Sequence, residues 1–420
     1  MLEVAAFRGL RFNQAKIGSL DAVITPPYDV ITQDQRADLA QRSAYSMARL
    51  ILPEERGSLT RYEAAAQDFA AWQSQGVLTQ DDAESFYIIE QTFADADGAP
   101  RTRHAFFATA RIPETGDTTI LGHEQTFPRT MEDRLFLTQA TRANLGPVFV
   151  LYADPGNALH DFLHQAQGRP PECAATTIDG VTQKLWRVSH DDAVTAFFRD
   201  KRLYIADGHH RYGTACLYRD MMRQSAPRPA GSALSRYEYV LLGFVSLSDP
   251  GLAIYPTHRL MTMPQDFQLD RFLERLSKWF EVARIDDHVQ EVLSETPGCA
   301  IAVAFHGLGT YLLKLKDIDR VAFLGTDRGP AWRDLDVAVL HRGVVENLLG
   351  MPAETSFVYE RDASKVLAQV QSGEYGMGFL LKATGAEQIR ACAEAAQPMP
   401  HKSTYFFPKL PSGAVIHRLE

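Results

Sequence analysis

The apolar run Leu203-Tyr-Ile-Ala breaks into the polar set Asp207-Gly-His-His-Arg211, and apolar spacing then resumes at Ala215, Tyr218, Met221 and Met222. Such an order leaves little freedom: the run is a buried strand end, the later spacing is helical, and the junction must be a tight turn at the edge of a core. Pro227 is the expected stop. Asp207 is placed to cap the helix. The backbone N–H groups around Gly208, His209, His210 and Arg211 would then face outward at the positive helix end. Gly208 allows close approach to the backbone, and Arg211 adds a forked donor. The junction is an anion site in outline, with phosphate its natural guest. An ordinary solvated Asp-Gly turn fits the same local pattern. What favours the site is the cost of gathering polar side chains at a strand end. A metal on Asp207 with His209 and His210 is a weaker reading, because helix neighbours project about 100° apart.

The rest of the composition narrows the partners. With 420 residues, 45% of them hydrophobic, the chain can bury a large core. Its net charge is −9 and no lysine or arginine run stands out, which argues against nucleic acid and acidic membrane surfaces as partners. Cys173, Cys216, Cys299 and Cys392 have neither disulfide nor zinc-ribbon spacing. No stretch approaches about 18 apolar residues, and the first residues lack a signal pattern, so the expectation is a cytoplasmic protein. A homodimer is compatible with such a chain.

In order, Thr25-Pro-Pro-Tyr-Asp29 is a rigid loop, and Thr32-Gln-Asp-Gln35 is a capping box opening a helix to about Arg42. A strand is expected from Met47 to Leu52, then a helix with Leu59, Tyr62, Ala66, Phe69 and Trp72 on one face. Phe86 to Phe93 and His104 to Ile112 alternate as two strands about an Asp97-Gly98 turn. An exposed loop is expected between Arg223 and Arg236. Beyond it, helices near 267–280, 336–349, 363–371 and 386–395 alternate with strands near Ala300, Tyr311, Phe357 and Gly378. The fold class is α+β, a mixed α/β chain with a mixed sheet in residues 1–236 and a smaller α/β domain in 237–420.

Among remaining candidates, Glu124 with His123 lies at a strand end and suits a general base or a metal anchor. A solvated His-Glu pair is the ordinary alternative. His258-Arg259 and Lys402-Ser403-Thr404 could touch a ligand or be surface groups. No P-loop or dinucleotide fingerprint occurs in strand-to-helix context.

Phe7-Arg-Gly-Leu-Arg, Pro26-Pro-Tyr-Asp, His123-Glu, Glu132-Asp-Arg-Leu, Ala206-Asp-Gly-His-His-Arg-Tyr, Pro256-Thr-His-Arg and Pro400-His-Lys-Ser-Thr-Tyr-Phe together span most of the chain. In these motifs it resembles the domain-of-unknown-function family numbered 1015. The Asp-Gly-His-His-Arg turn is similar to the phosphate-binding turn of the ParB and sulfiredoxin superfamily, which includes free-serine kinases. The resemblance implies a ParB/sulfiredoxin-like N-terminal half binding ATP or ADP with Mg²⁺ at Asp207 to Arg211. It implies a phosphotransferase acting on a small hydroxyl metabolite, L-serine first. Gly208, His209 and His210 would bind phosphate, Arg211 would neutralise the transferring group, and Asp207 would cap the turn or hold Mg²⁺. Glu124, with His123 beside it, would orient or deprotonate the hydroxyl. A phosphomonoesterase of phosphoserine type and a non-catalytic nucleotide-binding regulator are the alternatives. Sulfiredoxins carry cysteine where this chain has His209, and the basic helical region of ParB proteins is absent, so neither activity carries over.

Overall fold

Residues 85–94 and 100–111 pair as the antiparallel strands β1 (Ser85–Ala94) and β2 (Pro100–Arg111), buried on both faces over most of their length, with the alternate residues Phe86, Ile88, Phe106, Ala108 and Ala110 in one core cluster. The computed structural model describes residues 1–95, 98–225 and 233–420. Asp97 of the expected turn, and most of the loop expected between Arg223 and Arg236, with Pro227, lie outside them. The chain divides into two units, residues 1–122, 126–253 and 408–420 in the first, 123–125 and 254–407 in the second.

In the first unit the hairpin is joined by β3 (Val148–Tyr152), β4 (Thr182–Ser189), β5 (Leu203–Asp207) and β6 (Tyr239–Ser246). The sheet runs Ile120–Leu121, β5, β3, β6, β2, β1, β4, Cys173–Thr176, with Val4–Ala5 pairing β2. It is mixed: β6 is parallel to β3 and β5 antiparallel to it, as expected of an α+β chain. Phe86, Phe106, Val150, Leu203, Ile205 and Phe244 fill one core cluster, with the Phe106 and Phe244 rings stacked at 4.7 Å. Each such ring contributes about 1.5–3 kcal/mol by leaving water.

The Thr32 capping box forms and opens α1 (Gln33–Arg42), and a second box at Thr60 and Glu63 opens α2 (Arg61–Ser74). The strand expected from Met47 to Leu52 is instead a helical turn, Ala48–Ile51. Its apolar residues are buried by contacts with α2, so tertiary packing overrides the β-like composition. The helices α3 (Pro128–Thr141) and α4 (His209–Ser225) pack on each other.

The second unit is an antiparallel six-stranded sheet. Its strands are β7 (His258–Met261), β8 (Phe280–Arg284), β9 (Ala300–Phe305), β10 (Gly309–Leu315), β11 (Val358–Glu360) and β12 (Met377–Leu381). Helices recur near the expected positions, including Ala363–Gln371 and Ala386–Glu394. Antiparallel pairing makes this half α+β, one of the two classes, α/β and α+β, that its helix–strand alternation leaves open. The expected boundary at 236/237 also moves, to 253/254, because β6 inserts between β2 and β3 in the first sheet. Residues 408–420 return to the first unit, where Ile416 and Leu10 exchange backbone hydrogen bonds.

Candidate functional site

The strand, turn and helix read from residues 203–222 are present as β5 and α4. A register shift between Ile205 and Asp207 sets Asp207 opposite Phe149, off the face that carries Leu203 and Ile205 into the core. Gly208 follows at φ 89°, a left-handed conformation that glycine adopts without strain. The helix then starts at His209, with the Tyr212 N–H donating to Gly208 O at 2.9 Å.

Asp207 does not use its carboxylate as the expected cap. The Lys409 ammonium contacts Oδ1 and the Arg211 guanidinium contacts Oδ2, and all three side chains are at least four-fifths buried. Burial would raise the Asp207 carboxyl, but Lys409 and then Arg211 overcome it and hold it down to about 2. Arg211 also donates to Pro147 O. Both carboxylate oxygens are thus committed to cations, which argues against Asp207 as the Mg²⁺ ligand expected from the sequence. Among the described residues no group of three His, Cys, Asp or Glu side chains is arranged to hold a metal ion.

The Pro26-Pro27 loop brings a second carboxylate to this turn. Thr25 and Ser412 exchange backbone hydrogen bonds, and Tyr28–Val30 is a 3₁₀ turn. Surrounding protein and then the charge of Asp207 push the Asp29 carboxyl up, while Arg211 and Lys409 pull it down. Asp29 is exposed to solvent, so burial is a weak cause there, and the one like charge is then opposed by two cations. Tyr28 lies beneath the Arg134 guanidinium, 4.4 Å from the ring centre. Beside them is a cavity of ≈ 60 Å³ lined by Tyr28, Arg134, Asn144, Arg211, Thr214 and Ser412, among others. Arg211 Nε and Thr214 Oγ1 are buried there without a hydrogen-bond partner among the described residues. Unsatisfied buried donors beside a cavity are what a polar guest would complete.

The two histidines turn away from the role expected of their rings. His209 is buried, its ring so close to Gly122 that a Cβ there would lie 3.0 Å from Cδ2. Burial holds the His209 ring down to about 3 and therefore neutral. His210 Nε2 accepts the Phe127 N–H at 3.0 Å, and the rings stack at 5.8 Å.

The buried neutral imidazole has a consequence for stability. As pH falls below the ordinary histidine value of 6.5, the unfolded chain takes up a proton that folded His209 refuses until about 3. Stability is therefore full above that window and declines through it. A His209→Gln variant should show a shallower loss of urea midpoint between pH 7 and pH 5, by up to about 1.4 kcal/mol per pH unit. Parallel curves for the two proteins would rule the group out.

His123 and Glu124 belong to the second unit. His123 is buried, its Nε2 3.2 Å from Thr404 Oγ1, and its carbonyl accepts from Met399 N at 2.8 Å. Glu124 is half-buried. Arg259 is likewise buried and donates to the carbonyls of Thr257, His401 and Lys402. The His258-Arg259 and Lys402-Ser403-Thr404 motifs thus meet around one chain corner, with Arg259 fastening main chain there. The residues that the sequence reading did not assign are Lys409, Tyr28, Asp29 and Arg134. A lysine between Pro408 and Leu410-Pro411 was a legible signal, because a charge in an apolar run needs a partner.

The family model described as "Protein of unknown function (DUF1015)" matches residues 4–338. Comparison with curated proteins gives no match. Among solved structures, a conserved hypothetical protein from Pyrococcus furiosus is 14% identical, covering 73% of this chain and 93% of that one at a TM-score of 0.35. A free serine kinase in complex with AMP is 13% identical, covering 71% and 86% at 0.34. SbnI with a C-terminal truncation, from Staphylococcus aureus, is 13% identical, covering 73% and 85% at 0.35. Among the described residues, no helix is long and apolar enough to cross a membrane.

Proposed function

Because the chain belongs to the DUF1015 family, whose description gives no activity, we propose a function from the geometry of its own residues. It is a nucleotide-dependent phosphotransferase acting on a small hydroxyl compound, with L-serine the acceptor to try first. The observation that carries this reading is the turn into α4: Gly208 at positive φ, the buried Arg211 Nε without a partner among the described residues, and a small cavity alongside. The first turn of α4 is the positive end of its helix dipole, which favours the phosphate oxygens of ATP or ADP.

Arg211 opposes charge on the transferring group, and Lys409 keeps Asp207 ionised so that the Arg211 fork is held in place. Thr214, Asn144 and Ser412 offer hydrogen bonds to the acceptor in the cavity. Asp29 is an exposed carboxylate at this turn, and a carboxylate there can accept the acceptor's hydroxyl proton. Mg²⁺ bound with the nucleotide would supply further neutralisation of phosphate charge.

The test is a phosphorus NMR time course with Mg²⁺, ATP or ADP, and L-serine or a pool of hydroxy metabolites. A new phosphomonoester resonance that needs the acceptor and vanishes in Arg211→Ala is the expected outcome. Unchanging nucleotide signals would overturn the reading, and release of inorganic phosphate from phosphoserine alone would replace it with hydrolysis. Turnover lost in Asp29→Asn but kept in Glu124→Gln assigns the proton to Asp29, and the converse result returns it to Glu124.

A further inference from the structure

The first unit holds a second concavity, of ≈ 450 Å³, that shares no lining residue with the cavity beside Arg211. Phe7 and the buried His417 line it, their rings meeting edge to face at 5.4 Å. Arg8, Arg236 and Arg418 also line it, against one carboxylate, Glu84. Among the described residues Glu84 pairs with none of these arginines. Arg8 donates Nε to Asp81 O at 2.8 Å, Arg236 donates Nη1 to Glu420 O at 2.6 Å, and no bond to the Arg418 guanidinium is found among those residues. The His417 ring lies 3.3 Å from Arg236 O through Nε2, and burial holds it down to about 4, so it anchors that main chain while neutral.

Three guanidiniums around one hollow repel one another, and they do so in a chain whose net charge is −9. An anion there would relieve the repulsion. A single carboxylate has two oxygens, fewer than three forked donors can engage, whereas a phosphoryl group presents three. The volume is within the range of about 300–1,000 Å³ usual for small-molecule sites. We propose that this hollow is a second anion site, for a small metabolite bearing a phosphoryl or diphosphoryl group. It is separate from the turn at Gly208, and its occupancy does not depend on the phosphotransferase reading.

Inorganic pyrophosphate is the probe, titrated calorimetrically into the full chain. Arg418→Glu and Arg8→Ala should each weaken binding about tenfold, the usual scale for one charge-assisted contact. Gly208→Ala, which perturbs only the turn, should retain that binding. Circular dichroism melting checks that Arg418→Glu is folded, and Arg418→Gln is the second variant if it is not. Affinity within about twofold of wild type in both arginine variants would overturn the site. So would loss of all pyrophosphate binding in a folded Gly208→Ala protein, because the turn would then be the whole of the binding.

Discussion

Lys409→Met should destabilise the protein by about 3 kcal/mol, read as a lower urea midpoint at neutral pH. Lys409 and Asp207 expose 8% and 11% of their side chains, so water does little to screen the pair. Removing the ammonium leaves a buried carboxylate with, among the described residues, Arg211 as its remaining ion-pair partner. Breaking one side of a buried pair costs about 3–5 kcal/mol in general, and the surviving Arg211 contact puts this case at the lower end. The double variant Asp207→Asn, Lys409→Met should regain most of the loss, because no buried charge then lacks its partner. It should not regain nucleotide binding, since Arg211 would have lost the carboxylate that orients it. A loss below about 1 kcal/mol in the single variant would mean that the pair is not what secures residues 408–420 to the turn.

Gly208→Ala should weaken Mg-ATP binding by at least about tenfold while costing about 1–2 kcal/mol of stability. The stability cost follows from φ 89°, which a side chain rarely adopts. The binding cost follows from space: a Cβ at Gly208 would lie 2.8 Å from the Arg211 Cζ. Arg211 cannot swing aside freely, because its two Nη atoms are held by Pro147 O and Asp207. The control is Gly57→Ala, at φ 62° with no atom within 4 Å of the added Cβ. It carries backbone strain alone and should leave the titration unchanged. Equal losses of affinity in both variants would show that the turn has no special part in binding.

Much of the site was legible because it is local. The switch from apolar run to polar turn to helical spacing lies within residues 203–222, and hydrogen bonds within α4 together with the glycine requirement follow from that order alone. The same is true of the Thr32 capping box, whose two halves sit three residues apart. Where the sequence misled, the deciding contacts came from far along the chain. Residues 48–51 are helical because they pack against α2. Asp207 is an ion-pair centre instead of a cap because Lys409 arrives from 202 residues away. His209 points inward because Gly122 leaves room for its ring.

The sequence by itself determined the α+β class, the strand–turn–helix junction and the glycine at its hinge, since these depend on periodicity and on backbone conformations set by neighbouring residues. Tertiary structure alone decided the antiparallel pairing of the second unit, the return of residues 408–420 to the first, and the partners of each charge at the turn. Side-chain direction in a core and the pairing of buried charges are set by which segments meet in space. Electrostatic and packing energies act through space between such segments, without regard to their separation along the chain.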